Sequence, residues 1–413
     1  MKSLCISLLI VAMGLPIARA AAAETVSPSY DPVELVRTLR AVQDQMVLGN
    51  RGAYAAHRKV MATVSDQLLK TPPDSWRDAA YLRAGILFTL SGGDTRVARQ
   101  VLGLSDLPAE EERLLKGALA YAESRNTEAS ELLSGIDVFA LDTSIAGYVA
   151  LAQGTIHAKD EPKRAISRLE AARLLSPGTL VEEAALRREI MLLAGTEDFD
   201  RFETLSGRYL RRYRKSIYAD AFRRQLAVEL AGMKVWNDPQ RLAKLDKMVD
   251  GLDAGEKQDL YLAMAQAGIL KGQVGLTRFA AQRASGAHAG VSRADVSNAS
   301  ASEAEGVTAA PQAQVYEAAA LIVTDKYDSG LEQLQKVDRA ALTPQDAELL
   351  DAALKIAGQI RQQPEPGLAM PASPPGESSS VRERDLAAAG ARVVKLAQGT
   401  MAKVDGMLNT RSR

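Results

Sequence analysis

The stretch Ala165-Ile-Ser-Arg-Leu-Glu-Ala-Ala-Arg-Leu-Leu-Ser-Pro177 decides how this chain folds. Ala165, Leu169 and Ala172 lie four and three residues apart, so a helix places them on one face. Alanines on that face let a neighbouring helix approach closely. Pro177 closes the segment, because proline cannot continue a helix.

Working outward, related spacings return. Gly85, Phe88, Val97, Val101 and Leu104 fit the glycine, aromatic and apolar positions of one helix pair, and Gly117, Ala129, Leu133 and Ile136 those of another. Tyr327, Gly330, Leu331, Leu334 and Val337 fit one more second helix. These are the spacings of a degenerate tetratricopeptide repeat, whose units stack because none buries its apolar face alone. The helix before Ala165 fits the repeat less closely, which leaves an irregular helical domain as the competing architecture.

From Pro32 to about Ser285 apolar residues recur at three- and four-residue spacing, with no run of alternating β-branched residues. The blocks break at Leu48-Gly49-Asn50, Thr71-Pro72-Pro73-Asp74, Ser91-Gly92-Gly93-Asp94, Ser176-Pro177-Gly178, Gly195-Thr196 and Asn237-Asp238-Pro239. Each break offers a capping glycine, a proline or a capping side chain. The fold class expected is all-α: a degenerate tetratricopeptide-like helical solenoid of antiparallel helix pairs. Residues 24–285 are assigned to the helical-repeat domain and 311–362 to the C-terminal helices of the repeat body. The Ala/Ser/Gly-rich segment 286–310 and the Pro/Ser-rich segment 363–380 read as flexible linkers, and 381–413 as a separate amphipathic C-terminal helix.

Residues 1–23 read as a signal peptide: Lys2, an apolar run from Leu4 to Ile17, then the small-x-small site Ala18-Arg19-Ala20. The run is too short to span a bilayer. Cleavage after Ala20 or Ala23 removes Cys5, the one cysteine, so the mature chain is expected in the periplasm without a disulfide, a thiol nucleophile or a cysteine metal ligand. Of the 51 basic residues, Lys2 and Arg19 leave with the signal, so 49 face 51 acidic ones. That balance, together with export, argues against a nucleic-acid partner.

Catalytic patterns are missing from the sequence. His57, His157 and His288 stand far apart, without an H-E-x-x-H pair to hold zinc. Neither a G-x-S-x-G elbow nor an S-x-x-K pair occurs, nor a glycine-rich phosphate cradle. The paired carboxylates Glu110 to Glu112, Glu182-Glu183 and Glu197-Asp198 follow Pro108, Thr179 and Thr196 at helix starts, where the macrodipole favours negative charge. Glu183 also stands four residues before Arg187. No catalytic, cofactor or metal site is expected, so the protein reads as a non-enzyme.

One charged segment stands out. Between Arg201 and Arg224 eight basic residues face two acidic ones, with Tyr209, Tyr213, Tyr218 and Phe222 interleaved. Two readings are open: the aromatics form a buried stripe beneath a solvated arginine face, or the segment docks an anionic partner. On the second reading the candidate partner-binding residues are Arg211, Arg212, Tyr213, Arg214 and Tyr218.

Three phrases carry a family likeness: Tyr30-Asp-Pro-Val-Glu-Leu-Val-Arg-Thr-Leu-Arg-Ala-Val-Gln-Asp-Gln45, Leu175-Ser-Pro-Gly-Thr-Leu-Val-Glu-Glu-Ala-Ala-Leu-Arg-Arg-Glu189 and Arg211-Arg-Tyr-Arg-Lys-Ser-Ile-Tyr-Ala219. Over residues 30 to 285 the chain resembles the MotC family, periplasmic motility proteins of rhizobia and their relatives. The resemblance implies a non-enzymatic accessory of the flagellar motor that binds the periplasmic part of the stator protein MotB and supports rotation. It supplies no site residues. Two other readings of the residues stay open, a peptidoglycan-cleaving enzyme with a helical superhelix and a general scaffold for envelope assembly or polysaccharide export.

Overall fold

The computed structural model describes residues 30–286, 309–324 and 326–361. The described residues through Ala357 belong to one compact unit; of a second, Gly358–Arg413, only the end of the last helix is described. The expected signal peptide, most of the first linker, the Pro/Ser-rich linker and the C-terminal amphipathic helix lie outside the described residues.

Among the described residues the regular elements are all helical. The first eight α-helices are α1 (Pro32–Val47), α2 (Arg51–Leu69), α3 (Ala79–Leu90), α4 (Thr95–Leu102), α5 (Ala109–Ala122), α6 (Asn126–Leu133), α7 (Thr143–His157) and α8 (Pro162–Leu175). There follow α9 (Leu180–Ala194), α10 (Phe199–Arg212), α11 (Ala219–Gly232), α12 (Pro239–Val249), α13 (Ala254–Leu270), α14 (Val274–Gly286), α15 (Ala309–Ile322), α16 (Tyr327–Lys336) and α17 (Pro344–Arg361). None of the described helices is long and apolar enough to cross a membrane.

Local chemistry sets the boundaries. Asp31, Asn50, Asp78, Asp94, Asp142, Thr179, Asp198, Asp238 and Asp253 sit at N-caps and accept hydrogen bonds from backbone N–H groups of the following turn. At Asp253 the bond is reciprocal, because Glu256 accepts from the Asp253 backbone N–H. Gly49 and Gly178 lie in breaks read from the sequence and adopt φ of 85° and 80°, which residues with a Cβ rarely tolerate.

The packing order is that of stacked helix pairs. α1 packs on α2, α3 on α4, α5 on α6, α7 on α8, α9 on α10, α13 on α14 and α15 on α16. Each odd-numbered helix from α1 to α13 also packs on the next odd-numbered one, giving the continuous row of first helices that defines a tetratricopeptide-type solenoid. The four repeat-like segments found in the sequence fall in α3/α4, α5/α6, α8 and α16. Close approach within pairs is visible where a Cβ on Gly117 would lie 2.4 Å from Leu133, and one on Gly154 2.7 Å from Leu169.

One departure from a regular stack matters for the surface. α3 also touches α7 and α1 touches α9, so α1, α3, α7 and α9 close into a quartet. The apolar side chains gather in an N-terminal core around Trp76, Phe88 and Leu115, a central core around Phe202, Tyr209 and Trp236, and a smaller one around Val315 and Leu334. Val36 and Leu39 of α1 belong to the first of these and Val47 to the second.

Candidate partner-binding surface

The Arg201–Arg224 segment folds as α10, a turn and α11. Along α10 the apolar face holds Phe202, Leu205, Tyr209 and Leu210 in the central core. The four-residue spacing continues that stripe into the turn, where Tyr213 is also buried, its ring centroid 5.5 Å from that of Tyr209. Phe222 of α11 completes the cluster, 3.8 Å from Tyr209. The buried-stripe reading therefore holds for Tyr209, Tyr213 and Phe222. Tyr213, a candidate contact residue, faces the core and cannot meet a partner.

Beneath these rings lies a carboxylate that its sequence context places at a helix start, four residues before Arg187. Glu183, in the first turn of α9, is fully buried. The Tyr209 hydroxyl donates to it at 2.6 Å and the Ser216 hydroxyl at 3.0 Å, and Arg187, four residues on, is 3.3 Å away. Burial, reinforced by the Glu183 charge, pushes the Tyr209 phenol well above its ordinary range, so it stays a donor. Burial and the Glu182 charge do the same to Tyr213. Glu189, also fully buried, is held by Arg173 at 2.6 Å and by Arg201 at 2.6 Å. These carboxylates organise the core; their oxygens are already occupied by donors.

The basic residues divide into two groups. Arg201, Arg212, Arg214 and Arg223 are committed to Glu189, Glu182, Glu256 and Asp220 respectively. Arg208, Arg211, Lys215 and Arg224 are exposed and form no ion pair with a described residue. Of the remaining candidates, Tyr218 is half-buried at the surface with the Arg187 guanidinium 4.6 Å over its ring. Of the five, then, Arg211 is a free surface cation, Arg212 and Arg214 are tied into the protein, Tyr213 is core and Tyr218 is accessible.

The histidines do not converge. His57 lies 3.3 Å from Gln43, and His157 is buried with Nδ1 3.0 Å from Glu161. No group of three His, Cys, Asp or Glu able to hold a metal ion is found among the described residues; His288 lies outside them.

A family model described as chemotaxis protein MotC matches residues 1–413. The chain belongs to the MotC family. Among MotC proteins, the chemotaxis protein MotC of Rhizobium meliloti (strain 1021) is 27% identical over 366 residues, covering 88% of this chain and 80% of the relative. No solved structure matches. Membership in the MotC family supports a role in flagellar motility.

Proposed function

We propose that this MotC-family chain is a periplasmic accessory of the flagellar motor that binds the periplasmic part of the stator protein MotB and supports rotation, acting by contact and without catalysis. The observation that carries this reading is the match of the family model over residues 1–413. The form of the molecule supports it: stacked helix pairs offer an extended, rigid surface, and the carboxylates buried near that surface are consumed by internal pairs. Exposed, unpaired Arg208, Arg211 and Lys215 and half-buried Tyr218 suit a protein contact, since arginine and tyrosine are enriched at interfaces.

The reading is tested by a clean deletion and a binding assay. Deletion should lower swimming speed while flagella still assemble, and the purified mature chain should capture the MotB periplasmic part. Unchanged swimming, or no capture, would end it.

A further inference from the structure

A helix stabilised by packing buries an apolar stripe along its length. α2 buries residues fully only in its last third: from Arg51 to Thr63 no side chain is fully buried, Val60 and Met61 pack partly buried against the N-terminal core, and the first buried residue is Val64. Arg51, Ala55, Arg58 and Ala62 follow one another at intervals of four, three and four residues, so they share one line along the helix. All four are exposed, as are Tyr54 and Lys59 on either side of them. Between Asn50 and Ser65 the sequence contains no aspartate or glutamate, and Arg51, Arg58 and Lys59 pair with no described carboxylate.

The flanks extend this face. Leu48, in the turn before α2, is 65% exposed and Tyr54 61%. The turn rests on the α10–α11 turn: Ile217 N–H donates to Met46 O at 3.4 Å, and a Cβ on Gly49 would lie 2.3 Å from Lys215 O. That contact sets unpaired Lys215 against Gly49 and brings Arg187-stacked Tyr218 near Tyr54. On the other flank a cleft of about 360 Å³ opens between α2 and the α3–α4 turn, walled by His57, Arg58, Met61, Ala62, Gly92 and Arg96. Of the two carboxylates also on its wall, Asp94 is held by Arg96, and the Asp66 charge acts on the same Arg96.

We infer that this face of α2, with Leu48 and Tyr218 beside it, is a docking surface for an acidic protein segment that also presents an apolar side chain. Charge complementarity selects the acidic partner: four unpaired cations face solvent there. Exposed Leu48 and Tyr54 on one flank, and a cleft partly walled by Met61 and Ala62 on the other, select a protein, because apolar and aromatic anchors carry interface energy. Ala55 and Ala62 let its backbone come close.

The inference rests on the proposed function for its partner, so the probe is the MotB periplasmic part and the bait is the full mature chain. The reversal R58E/K59E should weaken capture by about tenfold or more, as should Y54A. The conservative R58K/K59R and the remote reversal K355E should capture normally. R58E/K59E should unfold at the same temperature as the unchanged chain, since both residues are exposed and unpaired. No capture by the unchanged chain overturns the partner and this surface together. Undiminished capture by R58E/K59E overturns the surface alone. The surface is also overturned if the reversal abolishes binding to anionic phospholipid vesicles, or self-association, but spares MotB capture.

Discussion

Asp44, in the last turn of α1, accepts a 2.9 Å hydrogen bond from the backbone N–H of Leu180, the first residue of α9, 136 positions further along the chain. It satisfies one of the donors that a helix start leaves open and pins the quartet of α1, α3, α7 and α9 at its seam. Asp44→Ala should cost about 1–2 kcal/mol. Asp44→Asn keeps an acceptor and separates that bond from the charge. Burial raises the Asp44 carboxyl above its ordinary 3.8, outweighing the Leu180 bond and Arg40, which lower it. A raised acid contributes stability that is fully present below 3.8 and is lost as pH rises through the higher folded value. Urea unfolding of the Asn variant should therefore gain on the unchanged chain between pH 4 and pH 7; a constant difference would refute this.

The Glu183 cluster should behave as a unit. Removing the carboxylate in Glu183→Ala strands two buried hydroxyls and leaves partly buried Arg187 without its partner, a loss of roughly 3–5 kcal/mol. Tyr209→Phe removes one donor and should cost about 1–2 kcal/mol. A double-mutant cycle between Glu183→Gln and Tyr209→Phe should show coupling above about 0.5 kcal/mol, as expected for groups in one network. Additive losses in denaturant titrations would mean that the 2.6 Å contact is energetically empty.

These two sites mark what could be read in advance. Helix pairs were legible because their signals are local: a cap such as Asn50, a left-handed glycine such as Gly49, and small residues such as Gly117 at the helix contact. The bond from Leu180 to Asp44 was not, since it depends on how far successive pairs rotate, a small angle per repeat that no short motif encodes. Glu183 was correctly placed in the first turn of α9, yet a helix-start carboxylate has the same local sequence whether it faces water or core. For Tyr213 the four-residue spacing from Tyr209 did carry the answer, and the buried-stripe reading was the correct one. The bare face of α2 was hidden because Tyr54, Ala55 and Ala62 look like core residues until their exposure is known.

Gly154 of α7 faces Leu169 of α8. A Cβ there would lie 2.7 Å from Leu169 Cγ and 3.2 Å from the Ala165 carbonyl oxygen, so neither side chain nor backbone leaves room for it. Gly154→Ala should gain about 1 kcal/mol in helix propensity and lose more to overpacking, a net destabilisation of about 1–2 kcal/mol. Adding Leu169→Ala opens the same space, so the double variant should lose less than the sum of the singles. Thermal unfolding of the three variants decides this, and strict additivity would show that the helices simply move apart.

Within the Arg201–Arg224 segment, burial and exposure separate two kinds of defect. Tyr213→Ala empties a core position against Tyr209 and should cost roughly 3–5 kcal/mol, by analogy with large aromatic truncations. Its motility loss should then follow from low steady-state protein in cells. Arg211 is exposed and unpaired, although a Cβ on Gly251 would fall 2.1 Å from its Cγ, so its stem packs while its charge is free. Arg211→Met keeps the stem and removes the charge, and should leave stability within about 0.5 kcal/mol. Immunoblots and swimming assays on both strains tell the two apart. Normal Tyr213→Ala protein levels with lost motility would contradict its place in the core, whereas a normal level of Arg211→Met with slower swimming would show that its charge acts on a partner.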